Sequence, residues 1–202
     1  MTASALGESR RSAGRIGPNA LTQLLPLLEA AGGAALRDGL LARAGVSCLP
    51  DMTGLIDEAP VARLHQAMRA ELPDLAPSLA RTAGVRTADY ILSHRIPGLA
   101  QTVLKALPGW AAAPVLSKAI ERNAWTFAGS GRFEVAARVR PVFLIHDNPV
   151  VRGEQSAQPL CHWHCGVFER LFRVLVDDRL RAREVACCAC GGASCRFEIS
   201  RA

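Results

Sequence analysis

The residues with the most chemistry in them lie between Cys161 and Phe197. Six of the seven cysteines and two of the five histidines of the chain fall in that stretch, with Glu184 in its middle. Thiolates, imidazoles and a carboxylate in one short run are the donor types that a tetrahedral zinc site uses. Two other readings of the cysteines stand beside it. Cysteine packs as a small apolar side chain, so a cluster can be plain core. It can also be a set of disulfides. The cysteine count is odd, and the opening MTASALGESRRSAGR has no apolar run of signal-peptide length. A cytoplasmic, reducing location is therefore expected, where disulfides are disfavoured.

The elements that must position these residues can be read from periodicity. Residues 1–17 are polar and aperiodic and read as a disordered tail, leaving 18–202 as one domain. From Asn19, Leu21, Leu24, Leu25 and Leu28 fall at helical spacing, with Pro26 inside the pattern. Gly32–Gly33 and Gly45 bracket a second short helix. Residues 47–59 read as a loop. Val61, Leu64, His65, Met68 and Leu72 mark an amphipathic helix, with His65 packed on its apolar edge. Residues 74–107 read as further helix broken at Gly84 and at Pro97–Gly98, and 114–128 as another, stopped by Gly129–Ser130–Gly131.

The period then changes from 3.6 to 2. Phe133, Val135, Ala137 and Val139 alternate with more polar positions, and Val142–Ile145 continue as a more buried strand ending near His146. A polar loop spans 147–160. Val167, Phe168, Leu171, Phe172 and Leu175 form the apolar stripe of a helix, with Glu169 and Arg173 paired outside. Two strands, 182–188 and 195–199, flank the turn Gly191–Gly192–Ala193. The layout is α+β: a helical N-terminal half, then antiparallel strands, one helix and a C-terminal hairpin.

Charge and length narrow the function. The formal net charge is +6, spread along the chain without a dense basic block carrying interleaved aromatics, which argues against nucleic acid. A mild positive field favours an acidic ligand or a membrane surface. No apolar stretch reaches membrane-spanning length, so any membrane contact would be peripheral. The apolar faces of the N-terminal helices are compatible with a homodimer.

Cys161, Glu184, Cys187 and Cys195 form the pattern C–x22–E–x2–C–x7–C, with Gly191–Gly192 before the last cysteine and Phe197 after it. This pattern resembles the 4-vinyl reductase domain family, which includes sensor domains of phenol-responsive regulators and is related in fold to subunits of the vesicle-tethering transport particle. The resemblance implies a structural zinc ion held by those four residues. Read from spacing alone, Cys165, Cys188, Cys190, His162 and His164 remain rival ligands. Glu184 and Cys187 also sit three apart, so a regular strand would point them to opposite faces, and a bulge or strand end is needed between them.

The single domain of about 200 residues, the Cys-His-Trp-His-Cys entry at 161–165 and the lack of a G-x-x-x-x-G-K-[ST] loop resemble the bacteriochlorophyll-biosynthesis members rather than the sensors. That resemblance implies a cytoplasmic or membrane-peripheral protein that meets pathway enzymes and binds a Mg-tetrapyrrole precursor. The family name also implies reduction of a vinyl group. Such a reduction needs electrons from a cofactor, and neither a dinucleotide fingerprint nor an iron–sulfur cysteine run is present. Binding and presentation of the pigment precursor is thus the expected role, with direct 8-vinyl reduction and small-molecule sensing as alternatives. A flat apolar plate with acidic edges wants aromatic walls, a basic rim and an axial ligand. Trp110, Trp125, Phe127 and Phe143 are the candidate walls, His94 or His146 the candidate axial ligands, and Arg138 or Arg140 the candidate rim. His162 and His164 could ligate a metal centre or donate a proton, or simply hydrogen-bond around the zinc site.

Overall fold

A computed structural model describes residues 14–201. Its first helices follow the leucine spacing. Helix α1 (Asn19–Thr22) leads into α2 (Leu25–Ala44), which starts with Pro26 in its first turn. Helical geometry fails inside α2 at Gly32 and Gly33, and Gly45 closes the helix at φ 73°. Helix α3 (Glu58–Glu71) starts at Asp57, whose carboxylate accepts the Ala59 amide at 2.9 Å. It is followed by α4 (Ala76–His94), α5 (Gly98–Ala106) and α6 (Gly109–Arg122).

The second half is a four-stranded antiparallel sheet crossed by one helix. Its strands are β3 (Arg132–Ala137), β4 (Val142–His146), β5 (Leu180–Ala186) and β6 (Cys195–Arg201), in the order β3-β4-β6-β5. Helix α7 (His162–Leu175) lies between β4 and β5 in the chain. Its stripe of Val167, Phe168, Leu171, Phe172 and Leu175 is buried. Phe168 meets Phe143 at a ring-centroid distance of 5.0 Å and Phe197 at 5.4 Å, so an aromatic layer joins α7 to β4 and β6. The architecture is α+β, with seven helices and antiparallel sheets among the described residues.

The other face of α7 packs on α4, and here the sequence reading is corrected. Gly84 does not break a helix; α4 runs through it. A Cβ on Gly84 would overlap the carbonyl oxygen of Trp163 and lie 3.0 Å from the Cα of Gly166. A Cβ on Gly166 would in turn overlap the carbonyl oxygen of Arg81. The two glycines let two helix backbones touch, flanked by the small residues Ala80, Ala83, Thr87 and Ala88. Trp163 then reaches across the contact, its indole N–H donating to Thr87 Oγ1 at 3.2 Å.

Several smaller expectations also change. Residues 1–13 of the expected tail lie outside the described residues, but its last part is structured. Arg15–Ile16 form strand β1, antiparallel to β2 (Ile56–Asp57) within the expected 47–59 loop, and Ile16 is fully buried. The loop 147–160 contains a buried turn of 3-10 helix at Pro149–Val151. Helix α6 starts earlier and ends sooner than its apolar pattern suggests. Glu169 pairs with Arg81 of α4 at 2.6 Å rather than with Arg173, and it also accepts the Ala182 amide of β5 at 3.0 Å. That carboxylate therefore ties three elements together.

The crossing makes a direct test. Gly84→Ala forces α4 and α7 apart and should cost about 1–3 kcal/mol of stability, as overpacking does, whereas Gly39→Ala, with open space around it, should be neutral or stabilising. Urea midpoints of the two variants check this.

Candidate metal centre and its surroundings

Three separate elements deliver the cluster. Cys161 is the residue capping the N-terminus of α7, Glu184 lies on β5, and Cys187 follows that strand's last residue. Cys195 opens β6. The pairing of β5 with β6 shifts register between Glu184 and Ala186. That irregularity turns Cys187 to the same side as Glu184, which a regular strand would forbid. The return to β6 uses a turn of 3-10 helix at Cys188–Cys190, closed by Gly191 at φ 83°. The amides of Cys190 and Gly192 both donate to the Cys187 carbonyl at 3.0 Å.

One donor atom from each of Cys161, Glu184, Cys187 and Cys195 lies within 4.8 Å of the others. The Cys161 and Cys195 sulfurs are 3.4 Å apart, and those of Cys195 and Cys187 are 3.9 Å apart. Thiolates sharing a tetrahedral ion at about 2.3 Å would stand about 3.8 Å from one another, so the spacing fits such an ion. Glu184 accepts the Cys161 amide through Oε2 at 2.7 Å, while its Oε1 is buried with no protein partner. A buried carboxylate oxygen in that state is costly unless something else engages it.

Electrostatics point the same way. Burial pushes the Cys161 thiol up, and it pushes the Glu184 carboxyl up to about 8. The Cys195 thiol is also raised: its contact with Cys161 acts downwards, but the Cys187 sulfur beside it and burial outweigh that. Cys187 is lowered instead, because the sulfurs of Cys161 and Cys195 turn towards it. Without a cation the cluster thus carries about one negative charge shared among four acids. A dication could take up the protons' place, and the surroundings are prepared for thiolates: Asn148 donates its side-chain amide to Cys161 Sγ at 3.3 Å and the Cys188 amide donates to Cys195 Sγ at 3.4 Å.

The rival residues are placed elsewhere. Cys165 is buried one turn into α7, with its thiol pushed up to about 12 by burial. Cys188 is half-buried with its thiol directed at the Ile145 carbonyl, and Cys190 is exposed. His162 is half-buried on the first turn of α7, and burial lowers its pKa. His164 is fully buried among Trp163, Phe127, Phe168 and Phe197, and its Nδ1 has no partner.

The expected pigment slot does not assemble. Phe127 and Phe143 belong to the aromatic core, whereas Trp110 and Trp125 are exposed, so the four do not form one wall. His94 is exposed and stacked on Tyr90, with 4.4 Å between ring centroids. His146 is half-buried at the end of β4, with Nε2 3.4 Å from Glu134 Oε2. Arg138 pairs with Glu121 at 2.9 Å, and Arg140 is exposed. The discrepancy is physical: aromatic residues near each other in sequence are split between core and surface by the turn at Gly129–Gly131.

The sequence reading missed Asn148, the fully buried donor to Cys161. Its signal was the Asn148–Pro149 step, a turn dipeptide that fixes the side chain beside the backbone. Oδ1 accepts the Val150 amide at 3.1 Å, which leaves the amide group for the sulfur. It also missed Glu58, a buried carboxylate that accepts from the amide of Ser130 at 2.7 Å and from Arg152 at 2.9 Å. That network fastens α3 to the loops on either side of β3 and β4.

With this geometry in hand, comparison with known proteins is specific. Residues 141–201, which contain the whole cluster, match the model of the 4-vinyl reductase domain. The chain belongs to the 4-vinyl reductase domain family. Within it, the chain is 51% identical over 185 residues to the bacteriochlorophyll synthase 23 kDa chain of Cereibacter sphaeroides, covering 92% of this chain and 90% of that one. It is 41% identical to the protein of the same name from Rhodobacter capsulatus, covering 92% and 86%. This extends the resemblance to the bacteriochlorophyll-biosynthesis members seen in the sequence. Among solved structures, the Fe(II) unliganded H-NOX protein from K. algicida superposes with a TM-score of 0.59 at 14% identity, covering 93% of this chain and 97% of that one. An H-NOX protein from S. oneidensis superposes at 0.57 and 11% identity, covering 93% and 99%. At such identities the likeness is one of fold.

The two buried histidines give a pH prediction. Burial, with the Arg69 charge adding to it, holds the His65 pKa down to about 3, and burial holds His164 down to about 4. Both are neutral in the folded protein, while in the unfolded chain each takes up a proton near pH 6.5. The unfolded state then binds more protons, so stability is full above that pH and is lost as pH falls from 6.5 towards 4, by up to about 1.4 kcal/mol per unit for each histidine. His164→Phe, which suits the aromatic surroundings, should flatten this fall in urea midpoints measured between pH 7 and pH 5.

Proposed function

We propose that the chain serves bacteriochlorophyll biosynthesis by binding a tetrapyrrole precursor, a Mg-porphyrin or chlorophyllide, and presenting it to the enzymes of the pathway. The observation that carries this reading is the 51% identity, over nearly the full length of both chains, to a protein named as a chain of bacteriochlorophyll synthase. The name makes that synthase the first candidate partner. The fold lends support: one solved neighbour, with a TM-score of 0.56 and 9% identity, was determined to probe heme distortion in the H-NOX family, and heme is a tetrapyrrole.

In this reading Cys161, Glu184, Cys187 and Cys195 hold a structural zinc ion. Three thiolates and a carboxylate complete a tetrahedral shell, so the ion supplies charge neutralisation and cross-linking and no open coordination position. The chain's own contribution is to hold the N-terminus of α7 against the β5–β6 hairpin. His162, half-buried on that turn and held towards its neutral form, is the histidine best placed to meet a ligand reaching this end of α7. The protein acts in the cytoplasm in this reading, and no helix among the described residues is long and apolar enough to cross a membrane.

Two measurements test the reading. Purified protein should contain about one equivalent of zinc. Because the ion must displace protons from Glu184 and the buried thiols, its affinity should rise as pH is raised from 6 to 8. Cys195→Ser should lose the ion and several kcal/mol of stability, while Cys48→Ser, exposed and distant in the chain, should change neither. A substoichiometric metal content that Cys195→Ser leaves unaltered would remove the zinc site.

For the pigment, divinyl and monovinyl Mg-tetrapyrroles are titrated into the protein with and without NADPH and followed by absorbance. A red shift saturating near one equivalent with the vinyl groups intact is the expected result. Conversion of divinyl to monovinyl pigment by this chain would make it the reductase instead, and no spectral change would overturn the binding role.

A further inference from the structure

The helical hairpin formed by α5 and α6 has an outer surface that nothing in the fold covers. Helix α5 buries Leu104 and turns Leu99 and Val103, one turn apart, to solvent; Leu99 is 79% exposed. After the short Leu107–Pro108 connection, Trp110 stands on the first turn of α6 at 71% exposure, and Val115 follows, also exposed. Four of the nine exposed large apolar residues among the described residues thus fall within 99–115. Scattered singly they would mean little, but gathered on one hairpin they mark an interaction surface.

Charge selects the partner. From Arg95 to Ile120 the sequence contains no acidic residue. Arg95, Lys105 and Lys118 lie in that span, all exposed, and Arg122 follows on the last turn of α6. Both lysines of an otherwise arginine-based chain are here, and among the described residues neither lysine is in an ion pair. A protein partner of ordinary surface would not demand a face free of every carboxylate, whereas an anionic lipid surface repels carboxylates and attracts each lysine. Long lysine side chains can also extend to the headgroups while apolar neighbours enter the acyl boundary, and tryptophan favours that boundary.

We infer that the α5–α6 hairpin seats the protein on an anionic lipid bilayer, with Leu99, Val103 and Trp110 entering the interface and Lys105 and Lys118 meeting acidic headgroups. The inference goes beyond the pigment-binding reading and needs neither pigment nor metal. It describes an interfacial contact of two short helices, held by apolar insertion and charge together and so reversible.

The test is flotation of the full chain with vesicles of phosphatidylcholine alone or mixed equally with phosphatidylglycerol, without pigment. The protein should float with the phosphatidylglycerol vesicles, far less with phosphatidylcholine alone, and less at high salt. Leu99→Glu with Val103→Glu should abolish flotation, and Lys105→Glu with Lys118→Glu should lower it at least about tenfold on anionic vesicles. These four side chains are exposed, and unchanged circular dichroism and melting temperature show that the variants fold. Absence of flotation by the unaltered chain, or flotation that survives Leu99→Glu with Val103→Glu, overturns the proposal. So does a dimer in sedimentation velocity that these substitutions convert to monomer, which would assign the face to a second copy of the chain. Pigment titration is done without vesicles, so either reading can fail alone.

Discussion

The structure depends on the contact between α4 and α7. Two helices can approach until their backbones touch only where neither carries a Cβ at the crossing, and Gly84 and Gly166 meet that condition together. Everything on α7 inherits its position from this contact. One face of the helix delivers Phe168 and Phe172 to the sheet, and the N-terminal turn delivers Cys161 to the hairpin. Arg81–Glu169 and Arg170–Asp89 border the crossing, the latter at 2.7 Å. Ion pairs this exposed contribute little by themselves. Glu169 differs in being largely buried and in also holding the β5 backbone, so it couples the helix pair to the strand that carries Glu184.

That arrangement explains why parts of the fold could be read from the sequence and others could not. The stripe on α7, the change of period near Phe133 and the turn at Gly191–Gly192 are local signals, and local chemistry decided them. The irregularity between Glu184 and Cys187 was also accessible, because a three-residue separation cannot bring two side chains to one face of a regular strand. Gly84 was misread because helix propensity counts a glycine as a weakness, whereas here a tertiary contact requires it. Ile16 was misread for a related reason: a two-residue strand has no period, and only its partner at Ile56 makes it a strand. The pigment slot failed because aromatic content says nothing about which side of a turn faces the core. Trp110 and Phe127 differ little in composition-based reading, yet one is on the surface and the other packs on Phe133 at 5.1 Å.

The cluster's donors could be named from the sequence, but their physical state could not. Four acids within 4.8 Å cannot all ionise in a buried place unless a cation joins them. The protein has nonetheless provided amide donors to two of the sulfurs, which is useful to thiolates and of little use to thiols. The unpartnered Oε1 of Glu184 fits the same account. Packing alone would have favoured an apolar residue there, since a lone carboxylate oxygen in a core is a standing cost.

A donor set that closes around one ion has a consequence for where chemistry or recognition can occur. With three sulfurs and a carboxylate engaged, no coordination position is left for a substrate, so the cluster's role is to fix the geometry of the residues next to it. Those residues are the first turn of α7 and the 3-10 turn at Cys188–Cys190. The open depression beside the latter is lined by Glu154, Ser156, Cys188 and Cys190, a polar set that does not suit a flat apolar pigment. The first turn of α7, by contrast, joins the half-buried His162 to Trp163, which is locked to α4 through Thr87. A ligand contacting that turn would act on the α4–α7 crossing itself, the least compliant contact in the fold, and its binding would therefore stiffen the protein as a whole rather than one loop.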